Sequence, residues 1–355
     1  MTKEQYFDYL GITKFKQAGY TGKNIKIMSG EYIEQDYKKT ETWRSIICPK
    51  GYSNSASHGS SVMSIMQEIC PDATYYSFPM HYINDKSECC DFIKDKQITL
   101  FTTSSIGSSV NTRLEKLMQE CIDKGCTFFT AAGNTNEKGV HGMAKSEKYL
   151  AIGIADFVNG KLQRVNPSAI GAELDYVTLP PFGRWTSWCS PTFTAMCGLT
   201  QSFFLEKIGR TLNREELVRF IDDNLIDIEE EGFDIKSGKG LFVLPDPLTI
   251  NYMKYYNNTN DKENQISESV VENNIENNIE NNVENSQNKS NDIQQTQIVE
   301  LYIGKKEIYV NKVKSELDTA PFIKSGRTYV PLRAIGEIFG KTILWDANQQ
   351  KITIC

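Results

Sequence analysis

A serine that transfers an acyl group needs three things: an exposed hydroxyl, a neutral imidazole within hydrogen-bond reach, and fixed donors where charge gathers on the carbonyl oxygen. Three histidines, His58, His81 and His141, supply all the imidazole in 355 residues. His58 lies in Ser57-His58-Gly59-Ser60-Ser61-Val62, at the predicted N-terminus of an amphipathic helix and beside a glycine that admits the close approach of another segment. Taken alone, such a histidine reads more readily as a structural residue than as a base. The segment Arg184-Trp185-Thr186-Ser187-Trp188-Cys189-Ser190-Pro191 places a serine at the head of a long helix, with proline in the expected first turn, where a missing N–H costs little. The Ser187 hydroxyl there faces the positive end of the helix, and its own N–H is available to an oxyanion. The plainer reading of Ser187 is an N-cap. Cys189 is a rival nucleophile, but two residues further on it is expected to face away.

These residues need a scaffold. Over residues 1 to 250, short β-rich runs alternate with amphipathic stretches, which predicts an α/β fold with a parallel sheet covered by helices on both faces. Strands are expected at Ile25 to Met28, Tyr75 to Phe78, Ile98 to Thr103, Cys126 to Ala132 and Tyr149 to Ala155. Helices are expected at Ser61 to Cys70, with Val62, Ile65, Met66 and Ile69 on one face, and at Leu114 to Cys121. A longer one runs from Ser187 to Ile208, with Phe193, Met196, Cys197, Thr200 and Phe204 on its buried side.

Residues 251–297 are a different material, rich in Asn and Glu, in which a four-residue unit recurs from Val271, Ile275, Ile279 and Val283. One apolar residue in four buries too little surface to offset the entropy of ordering, so a flexible linker is expected there. Residues 261 to 299 hold eight acids and two bases, which accounts for the whole formal charge of −6. The remainder is close to neutral and lacks the clustered basic surface that nucleic acid demands. No apolar run reaches membrane-span length, and the N-terminus lacks the basic start and apolar stretch of a secretory signal, so the expectation is a protein that starts in the cytoplasm. The nine cysteines show no metal-ligand spacing, and most are expected to be small buried hydrophobes in a reducing compartment. Cys89-Cys90 has no assignment on these grounds.

Several segments, in order along the chain, resemble the subtilisin-like proteases, the subtilases. Thr186-Ser187-x-x-Ser190-Pro191 is similar to that family's nucleophile motif. His58-Gly59-Ser60-Ser61-Val62 followed by Cys70-Pro71-Asp72-Ala73-Thr74 is similar to its histidine helix and next strand. Thr130-Ala131-Ala132-Gly133-Asn134 resembles the segment with the oxyanion asparagine, and Ser104-Ser105-Ile106-Gly107 the strand edge that pairs with substrate. The likeness covers roughly residues 8 to 247. It implies a serine endopeptidase acting on a polypeptide substrate without a cofactor or a catalytic metal. In that reading Ser187 is the nucleophile, His58 the general base and Asn134 the oxyanion donor, while Ser105, Ile106, Gly107, Ala132 and Gly133 line the substrate.

One position departs from the family pattern. The family's orienting acid is an aspartate after the first strand, and the alignment from Gly22 and Ile25 puts Glu31 there. A glutamate can fix the imidazole tautomer if the backbone withdraws by about one methylene length. Asp36, reaching in from the next loop, is the alternative, and a site without a working acid would make the chain a pseudoprotease that binds peptides or a protein without cutting. Residues 1 to 10 also stand where the family carries a propeptide, which leads to the expectation of a short extension blocking the cleft before removal. Residues 298–355 are β-rich, and Leu317 to Ile323, Gly326 to Arg333 and Leu344-Trp345-Asp346 resemble the small domain named after the N-terminal region of copper amine oxidase. The resemblance implies a small α+β accessory domain that recruits a cell-wall or protein partner and leaves release to the cell surface open. It implies no copper, because no histidine follows His141.

Overall fold

The computed structural model describes residues 2–34, 40–43, 53–80, 86–104, 109–136, 138–255, 299–310, 313–317, 319–324, 327–338, 343–346 and 351–354. They fall into two compact units, Met1–Ser269 and Val270–Cys355. In the first, α1 (Lys3–Tyr9) and α2 (Ile12–Gln17) precede β1 (Lys26–Ser29), β2 (Glu41–Thr42), α3 (Ser53–Ile69) and β3 (Thr74–Ser77). Then come α4 (Ser87–Lys96), β4 (Leu100–Thr103), α5 (Thr112–Asp123), β5 (Thr127–Ala131), β6 (Tyr149–Val158), β7 (Lys161–Arg164) and β8 (Tyr176–Thr178). The unit closes with α6 (Thr186–Ile208), α7 (Arg214–Asp222), β9 (Leu225–Ile226) and β10 (Leu241–Phe242).

The strands lie in the order β2-β3-β1-β4-β5-β6-β8-β10-β9, with β7 paired onto β6. Every pairing from β2 to β10 is parallel, and only β9 and β7 run antiparallel to their neighbours. The expected strands are all present, within two residues at either end except for β6, which runs three residues further. Neighbouring residues of one strand enter opposite cores. Ile27, Tyr75, Leu100 and Phe129 pack with α3 and α6, whereas Met28, Tyr76, Phe101 and Phe128 pack with α4 and α5. Period-two alternation with apolar residues on both sides is what a parallel sheet sandwiched between helices requires. The chain leaves β1 first towards β3 and later returns to β4 on its other side, so the strand order reverses at β1. Loops that diverge at such a reversal open a crevice at the carboxyl ends of the strands.

α6 differs from its expected form. Instead of one buried stripe, every residue from Cys189 to Phe204 is buried, so the helix is a central pillar with no solvent face. Small residues make this feasible. A Cβ at Gly198 would lie 2.8 Å from the Cys70 sulfur and 3.0 Å from Ile27 Cδ1, so only glycine lets α3 and β1 approach there. α3 differs too: it begins at Ser53, which puts His58 in its second turn and not at its N-terminus.

The N-terminal residues belong to this core and do not form a separable extension. Phe7, Leu10, Ile12 and Phe15 are buried in the larger cluster, and the Leu10 carbonyl accepts the Leu244 N–H at 3.0 Å. At the other end packing continues to Tyr255, which is buried against Phe204 and Phe220. The repeats from Val271 to Val283 and the rest of the expected linker beyond Tyr255 lie outside the described residues.

The seven described cysteines are free and buried. Cys89 and Cys90 stand on α4 in the second core with Cys121 and Cys126, where the Cys121 thiol donates to the Cys90 carbonyl at 3.5 Å. Among the described residues no group of His, Cys, Asp and Glu is arranged to hold a metal ion, and no helix is long and apolar enough to cross a membrane.

In the second unit, β11 (Val299–Leu301), β12 (Glu307–Val310) and β13 (Val313–Glu316) form an antiparallel meander. β14 (Phe322–Lys324) pairs with β15 (Arg327–Tyr329), and β16 (Ile343–Asp346) with β17 (Lys351–Ile354), with one helix, Leu332–Ile338, between these hairpins. This is a small α+β arrangement.

Candidate active site

The crevice at the carboxyl ends of β1, β4 and β5 collects the polar residues singled out in the sequence. Glu31 lies two residues past the end of β1 and is buried, with a side-chain exposure of 5%. Its Oε1 accepts the Ser104 N–H at 2.8 Å and the Thr103 hydroxyl at 3.3 Å, both from β4 and its end. Its backbone carbonyl accepts the Ser77 hydroxyl at 2.7 Å, from the end of β3. The other carboxylate oxygen, Oε2, stands 3.6 Å from Nδ1 of His58. The glutamate thus stands against the imidazole on donors from two strands, one on each side of β1. Asp36, the alternative acid, lies outside the described residues.

His58 is presented by α3, which comes in close because of Gly59. A Cβ at that position would fall 1.6 Å from the Tyr32 carbonyl oxygen and 2.9 Å from the Glu31 Cβ. The opposite face of the imidazole meets Trp188, with ring centroids 5.2 Å apart. The residue after Ser187 therefore touches the histidine, and the two candidate residues, far apart along the chain, come together on one side of the sheet.

Ser187 is the second residue of α6 and is half-buried. Its hydroxyl donates to the Ser104 carbonyl at 3.3 Å and not to His58. Because the helix starts at Thr186, Pro191 sits six residues in, beyond the expected first turn, and the carbonyl of Ser187 loses its usual i+4 partner. The Ser104 hydroxyl replaces that donor at 2.8 Å. One residue at the end of β4 thus supports both Glu31 and Ser187. Deeper in the helix, the Ser190 and Thr102 hydroxyls share a buried hydrogen bond of 2.8 Å. Cys189 is fully buried, its thiol reaches the Thr178 carbonyl at 3.6 Å, and burial followed by the nearby Asp156 charge raises it far above the ordinary thiol range. A thiol held neutral in this way is no nucleophile.

Asn134 follows β5. Its Oδ1 accepts both the N–H and the hydroxyl of Thr186, each at 3.0 Å. That pins the amide by its oxygen and leaves both Nδ2 hydrogens to point away from Thr186. Ala132 and Gly133 precede it. The Ala132 N–H is spent on the Ile152 carbonyl at 3.0 Å, and the Gly133 carbonyl on the Ala169 N–H at 2.8 Å. Ser105, Ile106 and Gly107 lie outside the described residues.

The segment leading into the nucleophile is tied to the N-terminal helix. Asp156, at the far end of β6, accepts Tyr6 Oη at 2.6 Å, Arg184 Nε at 2.7 Å and the Phe157 N–H at 2.7 Å. Burial alone would lift this carboxyl, but these hydrogen bonds outweigh it and hold it below its ordinary value, while burial and Asp156 push Tyr6 up to about 12. Glu31, His58, Ser187 and Asn134 were singled out in the sequence, whereas Ser104, Thr186 and Asp156 were not. Each is an ordinary polar residue at a strand or helix end, and only proximity reveals its role.

Solved structures share this architecture. A lanthipeptide protease matches with TM-score 0.54 and 12% identity over 69% of this chain and 94% of that one. Fervidolysin from Fervidobacterium pennivorans, a keratinolytic enzyme related to subtilisin, matches with TM-score 0.56 and 13% identity over 70% of this chain and 46% of that one. The prenylagaramide maturation protease PagA matches with TM-score 0.54 and 16% identity over 67% and 97%. The first unit has the subtilisin-like fold. Residues 270–354 match the family described as copper amine oxidase N-terminal domain, a match that begins upstream of the expected boundary at 298 and takes in the repeats. A search of the curated proteins returns no match.

Proposed function

We propose that the chain is a serine endopeptidase in which His58 takes the proton of Ser187, Ser187 attacks a peptide carbonyl, and His58 then protonates the leaving amine. Glu31 orients the imidazole and stabilises its protonated form. The Asn134 Nδ2 and the Ser187 N–H, one of the orphan donors of the first turn of α6, receive the oxyanion. The observation that carries this reading is the placement of the Glu31 carboxylate 3.6 Å from Nδ1 of an imidazole whose other side packs on the residue following Ser187. In this reading the Ser187 hydroxyl gives up its 3.3 Å bond to the Ser104 carbonyl for one to His58 when substrate binds, since catalytic hydrogen bonds commonly tighten only in the bound complex. The lanthipeptide and prenylagaramide proteases of similar fold support a peptide substrate.

The same bond to Ser104 favours a second reading, a binding module whose hydroxyl stays parked. A fluorophosphonate probe separates the two. Covalent labelling of the full chain, abolished in Ser187→Ala and in His58→Ala, is the expected result, and a folded chain that never labels turns the assignment to peptide binding. For residues 298–355 we propose a recruiting role towards a cell-wall or protein partner. Deleting them is expected to leave labelling of Ser187 intact.

A further inference from the structure

Next to the nucleophile the surface becomes aromatic. Phe182 and Trp185 are 46% and 52% exposed, unusual for side chains of this size, and the half-buried Trp188 ring lies 5.1 Å from Phe182 and 5.2 Å from His58. The indoles of Trp185 and Trp188 both come within 4.0 Å of where a Cβ on Gly183 would stand, so the two rings flank that glycine. The segment holding them is fixed at several points: Gly183 has a φ of +62°, the Trp185 N–H donates to the Gly183 carbonyl at 3.2 Å, and Arg184 is bound to the buried Asp156. Single exposed apolar side chains are ordinary, but a held row of rings ending on an imidazole is not.

Chemistry gives the row a direction. If His58 protonates the leaving amine, the fragment carrying that amine departs beside the imidazole and so beside Trp188, while the acyl fragment stays on Ser187. The side chain of the first residue on the leaving side is one bond from the reacting nitrogen and falls against the same rings. We propose that Phe182 and Trp188 form a subsite for an aromatic or bulky aliphatic side chain on the first residue after the scissile bond, an inference that rests on the serine-endopeptidase reading. Ring edges and faces suit another ring. Arg184, a cation in this segment, is already paired with Asp156 at 2.7 Å, so it is not offered to an acidic side chain, whose burial against the rings costs its desolvation.

Quenched-fluorescent peptides alike except for Phe, Leu, Gly or Asp at that first leaving-side position, cleaved by the full chain, test the proposal. The expected kcat/KM for Phe exceeds that for Gly by about tenfold or more, and in Phe182→Ala the ratio falls towards one while cleavage of the Gly peptide is retained. Phe182 is the cleaner variant because Trp188 also supports His58. A second arm measures binding of free-amine peptides beginning with Phe or Gly to Ser187→Ala by tryptophan fluorescence. Cleavage without a Phe preference, or a preference that survives Phe182→Ala, overturns the subsite and leaves the peptidase reading standing. A Phe preference in binding that Phe182→Ala removes, in a chain that cleaves nothing, upholds the subsite and overturns the peptidase reading.

Discussion

The two helices that bring the chemistry together are held in different ways. α6 is enclosed along its length, with Cys189 to Phe204 all buried, so Ser187 sits on a pillar that the whole core fixes. α3 buries only one face, through Val62, Met63, Ile65, Met66 and Ile69, and the position of His58 one turn before Val62 depends on the missing methyl at Gly59 and on the Glu31 carboxylate. Ser187 on a buried pillar is expected to tolerate loss of one neighbour better than His58, whose turn of α3 rests on the close approach at Gly59, the Ser60 hydroxyl that accepts the Glu34 N–H at 2.9 Å and the Trp188 ring. Rigid elements backed by packed supports are what precise sites require, and here the support is unevenly distributed.

The largest effect is expected from Gly59→Ala, whose Cβ would land 1.6 Å from the Tyr32 carbonyl oxygen. α3 must back away, and fluorophosphonate labelling is expected to vanish along with a fall in melting temperature. Labelling at the wild-type rate would show that α3 is as firmly held as α6. Glu31→Gln keeps the shape and removes the charge, so kcat is expected to drop about 10⁴-fold, as when a triad carboxylate becomes an amide, with little change in melting temperature. Asn134→Ala removes one oxyanion donor, and a loss of about 10²- to 10³-fold in kcat at nearly constant KM is expected. Ser104→Ala leaves the Ser187 carbonyl unpaired above Pro191, which costs about 1–3 kcal/mol in denaturant midpoint analysis. If α6 is the pillar described, kcat falls by only about tenfold, because one kcal/mol or so of misplacement is all that a packed helix yields. A loss as large as that of Glu31→Gln would erase the contrast between the helices.

The smallest expected effect lies away from both. Asp175 accepts the Ala151 N–H at 2.7 Å, yet burial lifts its carboxyl to about 6. The unfolded chain releases this proton near pH 3.9, so the native state holds it longer, and the stability it contributes is present at pH 4 and lost as pH rises through 6. Asp175→Asn is expected to flatten that decline by about 2 kcal/mol between pH 4 and 7, with labelling of Ser187 unchanged.

The parts of this architecture that could be read from the sequence are those with continuous apolar runs or a distinctive chemical neighbourhood. Five strands of the sheet are such runs, and the segments around His58, Ser187 and Asn134 carry short patterns that only a few folds use. The start of α3 escaped because Ser53 to Ser60 has no apolar period and is made mostly of serine with Asn54 and Gly59, which are weak helix formers. The burial of α6 escaped for the opposite reason. A periodicity argument looks for a polar face, and here Ser190, Thr194, Gly198 and Ser202 are not a solvent face but small residues that let other elements close in. Glu31 was legible as a position, but the donors that hold it, Ser77, Thr103 and Ser104, come from strands whose adjacency only the sheet order reveals.

The bond between Leu10 and Leu244 bears on how the molecule is made. α1 and α2 have partners at the far end of the unit, so Phe7, Leu10, Ile12 and Phe15 are synthesised long before Leu244 and the rest of their core is complete. At synthesis speeds of about 5–20 residues per second, that interval lasts roughly 10–50 s. During synthesis these two short helices have to be sheltered, or must hold their greasy faces in some makeshift cluster, until the last strand of the unit arrives to take them in.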